Sequence, residues 1–207
     1  MKKLFVFNLN FDRDIVVITV VSTLILILER YNTITTGNEI IDRLIGYLLI
    51  PLLVIIFVSR ESPTEYGFQL GDWKAGLALT GLVILFGIPV LYYTTALDTN
   101  MQDYYDWQLR PGLPLYSFLD LFGWEFFFRG WILFGYARKF GDDALWLQAV
   151  PFALAHLGKP EIETLSTIFG GFLFGLVAWR SKSFIYAFLC HWFVFSFTVL
   201  VAGGVFG

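Results

Sequence analysis

Residues 123–130 read GWEFFFRG, with Glu125 and Arg129 set around three phenylalanines. Apolar sequence lies on both sides, LYSFLDLF at 115–122 and WILFGYA at 131–137. How such a run tolerates two charges depends on the solvent around it, and composition settles that. Of 207 residues, 57% are hydrophobic and only 15% charged, with mean hydropathy +0.68. Soluble domains lie nearer 45–50% apolar and about 25% charged. The chain therefore reads as an integral membrane protein, and its length suits one domain of membrane-spanning helices. A net charge of −3 leaves no basic footprint, so nucleic acid is not an expected partner. The single cysteine, Cys190, cannot form an intrachain disulfide.

Seven apolar segments separate at charges and turn residues, at about 15–28, 44–59, 75–97, 115–137, 144–158, 164–179 and 183–206. The expected fold is all-α, a polytopic transmembrane helical bundle of about seven spans. Several segments are shorter than the ~20 residues that cross a hydrocarbon core, so flanking residues must extend them or the bilayer must thin. Residues 1–110 form an N-terminal group of helices and 111–207 the core, within one structural domain. The basic N-terminal stretch MKKLFVFNLNFDRD lacks a cleavage site and is expected to stay uncleaved at the interface. Lysine and arginine number nine in the loops on the N-terminal side and four opposite: Arg30, Arg43, Arg110 and Lys159. This bias places the N-terminus in the cytoplasm. Tyr104, Tyr105 and Trp107, in the loop after the third segment, are expected to form an interfacial aromatic belt. The compact chain without a targeting extension suggests a prokaryotic plasma membrane.

Away from segment ends, the ionisable residues inside the spans are Asp120, Glu125, Arg129, His156 and His191. A charge at the bilayer centre costs about 2.5–3.5 kcal/mol on insertion scales, so such residues normally face a protein interior or a water-filled cavity. Glu125 and Arg129 are four apart on one helix face, glutamate first, the favourable order for an ion pair. The pair neutralises itself, and its plainest role is a structural salt bridge. Asp120 is rotated off that face and suits a hydrogen bond to a neighbouring helix. Counting ~1.5 Å per helical residue, Glu125 and His156 both lie roughly 18 Å from their inner segment ends, and Arg129 and His191 roughly 12 Å. Four costly residues from three segments thus gather at adjacent levels. A carboxylate beside two histidines can activate water and stabilise an oxyanion, the parts that amide hydrolysis needs. Glu125, His156 and His191 could instead bind a divalent metal such as zinc, although no HExxH helix is present. The stretch HLGKPEIET breaks the helix after His156 and puts Glu161 and Glu163 at the rim, with Glu163 a candidate second carboxylate. Gly171 and Gly175 stand at GxxxG spacing and allow close helix approach.

The order E-x-x-x-R-G (Glu125–Gly130), F-x-x-x-H (Phe152–His156) and a third-segment histidine (His191) resembles the CPBP family, the CAAX proteases and bacteriocin-processing enzymes also called Abi. The resemblance covers roughly residues 115–200. It implies an intramembrane peptidase that acts on a membrane-associated protein or lipopeptide, with Glu125, Arg129, His156 and His191 in the catalytic positions. Two positions depart. The family motif opens with paired glutamates, the first commonly assigned the water-activating role, and here Trp124 stands there. The third motif usually carries Asn or Asp where this chain has Phe195, followed by Ser196. Three readings follow: Glu125 acts as the base, Glu163 supplies the missing carboxylate, or the chain is a catalytically silent member that binds a membrane partner. A small transporter that moves ions along Glu125, Arg129 and the histidines is a further alternative, but paired broken helices and a repeat are not evident.

Overall fold

The computed structural model describes residues 9–31 and 37–206. Lys2 and Lys3 of the charge count, and most of the proposed interfacial N-terminus, lie outside the described residues. The described chain is helical throughout, without strands. Helix α1 covers Arg13–Tyr31, α2 Glu39–Ser59, α3 Trp73–Leu97, and the short α4 Thr99–Tyr105. Helix α5 runs unbroken over 113–140 with a π-helical stretch at Phe126–Ile132. Helices α6, α7 and α8 cover Ala144–Leu154, Glu161–Ser181 and Phe184–Ala202.

Local chemistry explains the boundaries. The side chains of Asn38, Asp72, Asp98 and Ser183 accept hydrogen bonds from backbone N–H groups in the first turns of α2, α3, α4 and α8. This satisfies donors that a helix start otherwise leaves orphaned. Pro114 occupies the first turn of α5, where its missing N–H costs nothing. Each of the seven apolar segments corresponds to a long helix or to the eleven-residue α6.

Four helices, α2, α3, α7 and α8, are long and apolar enough to cross a membrane. The short α4 aside, the remaining three fall short for identifiable reasons. Helix α1 carries Glu29 and Arg30 near its end, α5 carries Asp120, Glu125 and Arg129, and α6 reaches only ~16 Å. These charge-bearing or short helices supply Glu29, Asp120, Glu125 and Arg129 to the polar interior, where His191 of α8 and Arg43 of α2 meet them.

Helices α5 and α8 form the centre. Helix α5 packs against α1, α2, α6 and α8, while α8 also contacts α3 and α7. The core along them is aromatic, with Phe126, Phe127, Phe128, Trp131, Phe184 and Phe188 all buried. Gly130 lets this packing close, because a Cβ there would lie 2.6 Å from the Phe126 ring and 3.0 Å from the Tyr66 carbonyl oxygen. The opening stretch is therefore the inner wall of the bundle.

Candidate active site

Burying a charge is costly unless it is paired and hydrogen-bonded. Glu125 and Arg129 are completely buried, and Arg129 Nη1 donates to Glu125 Oε1 at 2.8 Å. The same oxygen accepts from His191 Nδ1 of α8 at 2.6 Å. The Arg129 guanidinium carbon lies 3.8 Å from the centre of the Phe152 ring, and Nη2 reaches the Gly171 carbonyl oxygen at 3.4 Å. One carboxylate thus neutralises an arginine and fixes a histidine, which is how an apolar run holds both charges.

His156 follows the end of α6, and its Nδ1 contacts the Phe152 carbonyl oxygen at 2.8 Å. A carbonyl only accepts, so Nδ1 carries the proton and Nε2 of the neutral ring is the free acceptor. The carboxylate on Nδ1 of His191 gives that ring the same polarity. Neither Nε2 has a protein partner among the described residues, and the two rings lie 6.4 Å apart, inclined at 29°. The structure therefore gathers Glu125, Arg129, His156 and His191 at one place.

Two cavities meet at these rings. A polar one of ≈ 850 Å³ is lined by Glu29, Arg43, Asp120 and Trp124. An apolar groove of ≈ 670 Å³ between α3 and α7 is lined by Leu82, Phe86, Val90 and Leu173. His156, His191, Lys159 and Phe195 line both. Glu125 lines neither; it stands behind His191, sealed from both cavities.

Trp124, in the position of the absent glutamate, meets the His156 ring edge-on at 5.8 Å. The charge at this wall is set back one helical turn, where Asp120 pairs with Arg43 at 2.8 Å. Arg43 also bonds Glu29 at 3.0 Å and lies over the Trp124 ring at 5.9 Å, and Tyr47 donates its hydroxyl proton to Glu29. Sequence reasoning missed Glu29 and Arg43 because both stand at segment ends, where charge is ordinary. The four cations on the less basic side, Arg30, Arg43, Arg110 and Lys159, all line the polar cavity.

Glu163 does not hydrogen-bond the other four candidates. It accepts from Tyr105 Oη at 2.6 and 2.7 Å and pairs with Lys159 at 2.8 Å. Burial and the Glu163 charge push the Tyr105 phenol well above its ordinary pKa. The expected aromatic belt needs correction here. Tyr105 is buried at the groove because its hydroxyl finds a carboxylate inside the bundle, whereas Trp107 remains exposed beside Arg110. Phe195 packs on Tyr105 at 6.0 Å where the two cavities meet. Cys190 is buried and contacts Thr80, which makes it a packing residue.

The donor set does not fit a metal held by His156, His191 and Glu125. Glu125 Oε1 is occupied by Arg129 and by His191 Nδ1, so the carboxylate lies behind the histidine instead of beside it. No group of three His, Cys, Asp or Glu side chains suited to a metal occurs among the described residues.

No curated protein and no solved structure gives a significant match to the chain. Residues 106–197 match the family model described as type II CAAX prenyl endopeptidase Rce1-like, and all four gathered residues fall within that stretch. Residues 106–197 of this chain are thus similar to the Rce1-like type II CAAX prenyl endopeptidases.

Proposed function

We propose that the protein is an intramembrane endopeptidase whose working base is His191, backed by Glu125. The observation that carries this reading is the pair of free imidazole Nε2 atoms at the junction of a polar cavity and an apolar groove. His191 Nε2 takes a proton from water as the oxygen attacks the peptide carbonyl. The Glu125 carboxylate stabilises the imidazolium that forms, and the same proton then passes to the leaving amine. His156, with Nδ1 committed to Phe152, holds the water in line through Nε2. Lys159 lines both cavities and supplies an ammonium for the developing oxyanion. This assigns Glu125 the orienting role and moves proton transfer from the glutamate to the histidine it touches.

Groove size bears on the substrate. A transmembrane helix of ~10–12 Å diameter and ~30 Å length occupies roughly 2,400–3,400 Å³, well above ≈ 670 Å³. The groove suits a single apolar chain entering from the bilayer, with the attached peptide in the polar cavity. A lipid-bearing peptide is the substrate class that both halves accommodate.

The test compares membrane-protein termini by mass spectrometry in cells that express wild type, His191→Ala or Glu125→Gln at matched levels. New termini with wild type that are absent with His191→Ala support the peptidase. The presence of Trp124 against His156 favours one competing reading, a silent member that holds a membrane partner without cleaving it. Identical termini in all three strains, with each protein folded and a lipidated substrate supplied, would decide for that reading.

A further inference from the structure

Gln148 of α6 is completely buried in an apolar helix pair, and a leucine would fill that space without an amide to satisfy. Its Nε2 donates to the Leu145 carbonyl oxygen at 2.9 Å and to the Gly171 carbonyl oxygen of α7 at 2.8 Å. Both partners only accept, so the amide has one orientation. The Gly171 oxygen also receives Arg129 Nη2 at 3.4 Å. From Arg129 the chain of bonds continues through Glu125 Oε1 at 2.8 Å to His191 Nδ1 at 2.6 Å. The guanidinium carbon lies 3.8 and 5.3 Å from the Phe152 and Phe174 ring centres, and its hydrogen bonds run to Glu125 and the Gly171 oxygen. The glycines make room for this arrangement: a Cβ at Gly175 would lie 2.7 Å from Gln148 Nε2.

We propose that Gln148 is a positioning residue: by sharing the Gly171 carbonyl with Arg129 it fixes the guanidinium, and through it the carboxylate that orients His191. This rests on the reading of His191 as a working residue of the site. Gln148 hydrogen-bonds neither histidine and lines neither of the two cavities, and it lies outside the motifs that first pointed to the site.

The chain has only two histidines, which makes the test spectroscopic and independent of any substrate. The protein, labelled with 15N at histidine and glutamine side chains, is purified in detergent, and His156→Ala assigns the imidazole signals. In the wild type, His191 gives the further-downfield Nδ1 proton, because its acceptor is a carboxylate. Gln148→Met keeps the size and removes the hydrogen bonds, and Gln148→Asn keeps the amide but falls short of Gly171. Each is expected to shift or abolish the His191 Nδ1 proton signal while His156 stays in place. Reciprocally, Glu125→Gln is expected to move the Gln148 amide signals, a measurement that needs no change at Gln148. An unmoved His191 in a folded variant overturns the proposal, as does equal movement of both histidines or an unmoved Gln148 amide in Glu125→Gln. Loss of the peptidase reading alone would leave these spectra as described, so the two failures are distinguishable.

Discussion

Glu125 joins two helices at one atom, since a single one of its oxygens serves both Arg129 and His191. Removing one member of a fully buried pair leaves an uncompensated charge, which typically costs about 3–5 kcal/mol. Glu125→Ala should therefore lower the thermal midpoint in detergent strongly, and Glu125→Ala with Arg129→Met should recover most of the loss. If the double variant melts no higher than the single one, the pair is not the source of the cost. His191→Ala removes the ring and leaves the ion pair in place, so it should abolish cleavage with a smaller change in melting.

At the level of elements, close helix approach depends on glycines at α6–α7 and within α5. Gly175→Ala forces a Cβ against Gln148, and overpacking of this kind costs about 1–3 kcal/mol. Gly170→Ala is the internal control, because a Cβ there meets nothing within 4 Å. Melting curves should separate the two variants clearly. The loop after α2 is tied to the end of α5 by Glu61, which accepts from Arg138 and from Tyr66 Oη. Partial burial works to raise the Glu61 pKa, but the hydrogen bonds from Arg138 and Tyr66 outweigh it and hold it below the ordinary 4.5. A carboxylate with a depressed folded pKa stabilises the fold above its unfolded pKa, and that contribution disappears as pH falls through the folded value. Acid destabilisation below about pH 4.5 should accordingly be shallower in Glu61→Gln, as read from melting midpoints across pH.

For the whole molecule, the arrangement that matters is a polar cavity and an apolar groove that share His156 and His191. Filling the groove should block an apolar chain without touching the histidines. Gly170→Leu projects into open space on the groove wall, so it should leave melting near wild type and suppress cleavage of a lipidated substrate. Unchanged cleavage would show that the substrate does not enter between α3 and α7. The cations also divide by their place in the bundle. Those on the less basic side line the polar cavity, where Glu29 and Asp120 offset Arg43, while Glu163 on the groove side offsets Lys159. Part of the charge asymmetry of the sequence thus reflects the site as well as the membrane.

The sequence by itself determined that this is a membrane-embedded helical bundle and named the residues that gather at its centre. It could do so because apolar length and the cost of intramembrane charge are properties of composition and spacing. The Glu125–Arg129 bond was legible for the same reason, since four residues make one helical turn. Only the tertiary structure decided which way each group faces. It set Glu125 behind His191, drew Tyr105 inward to Glu163, and brought Glu29 and Arg43 from α1 and α2 to the cavity wall. It also joined Gln148 to Arg129 through a backbone carbonyl that no side-chain pattern encodes. These contacts link helices far apart in the chain, and they are set by how the helices pack and rotate against one another.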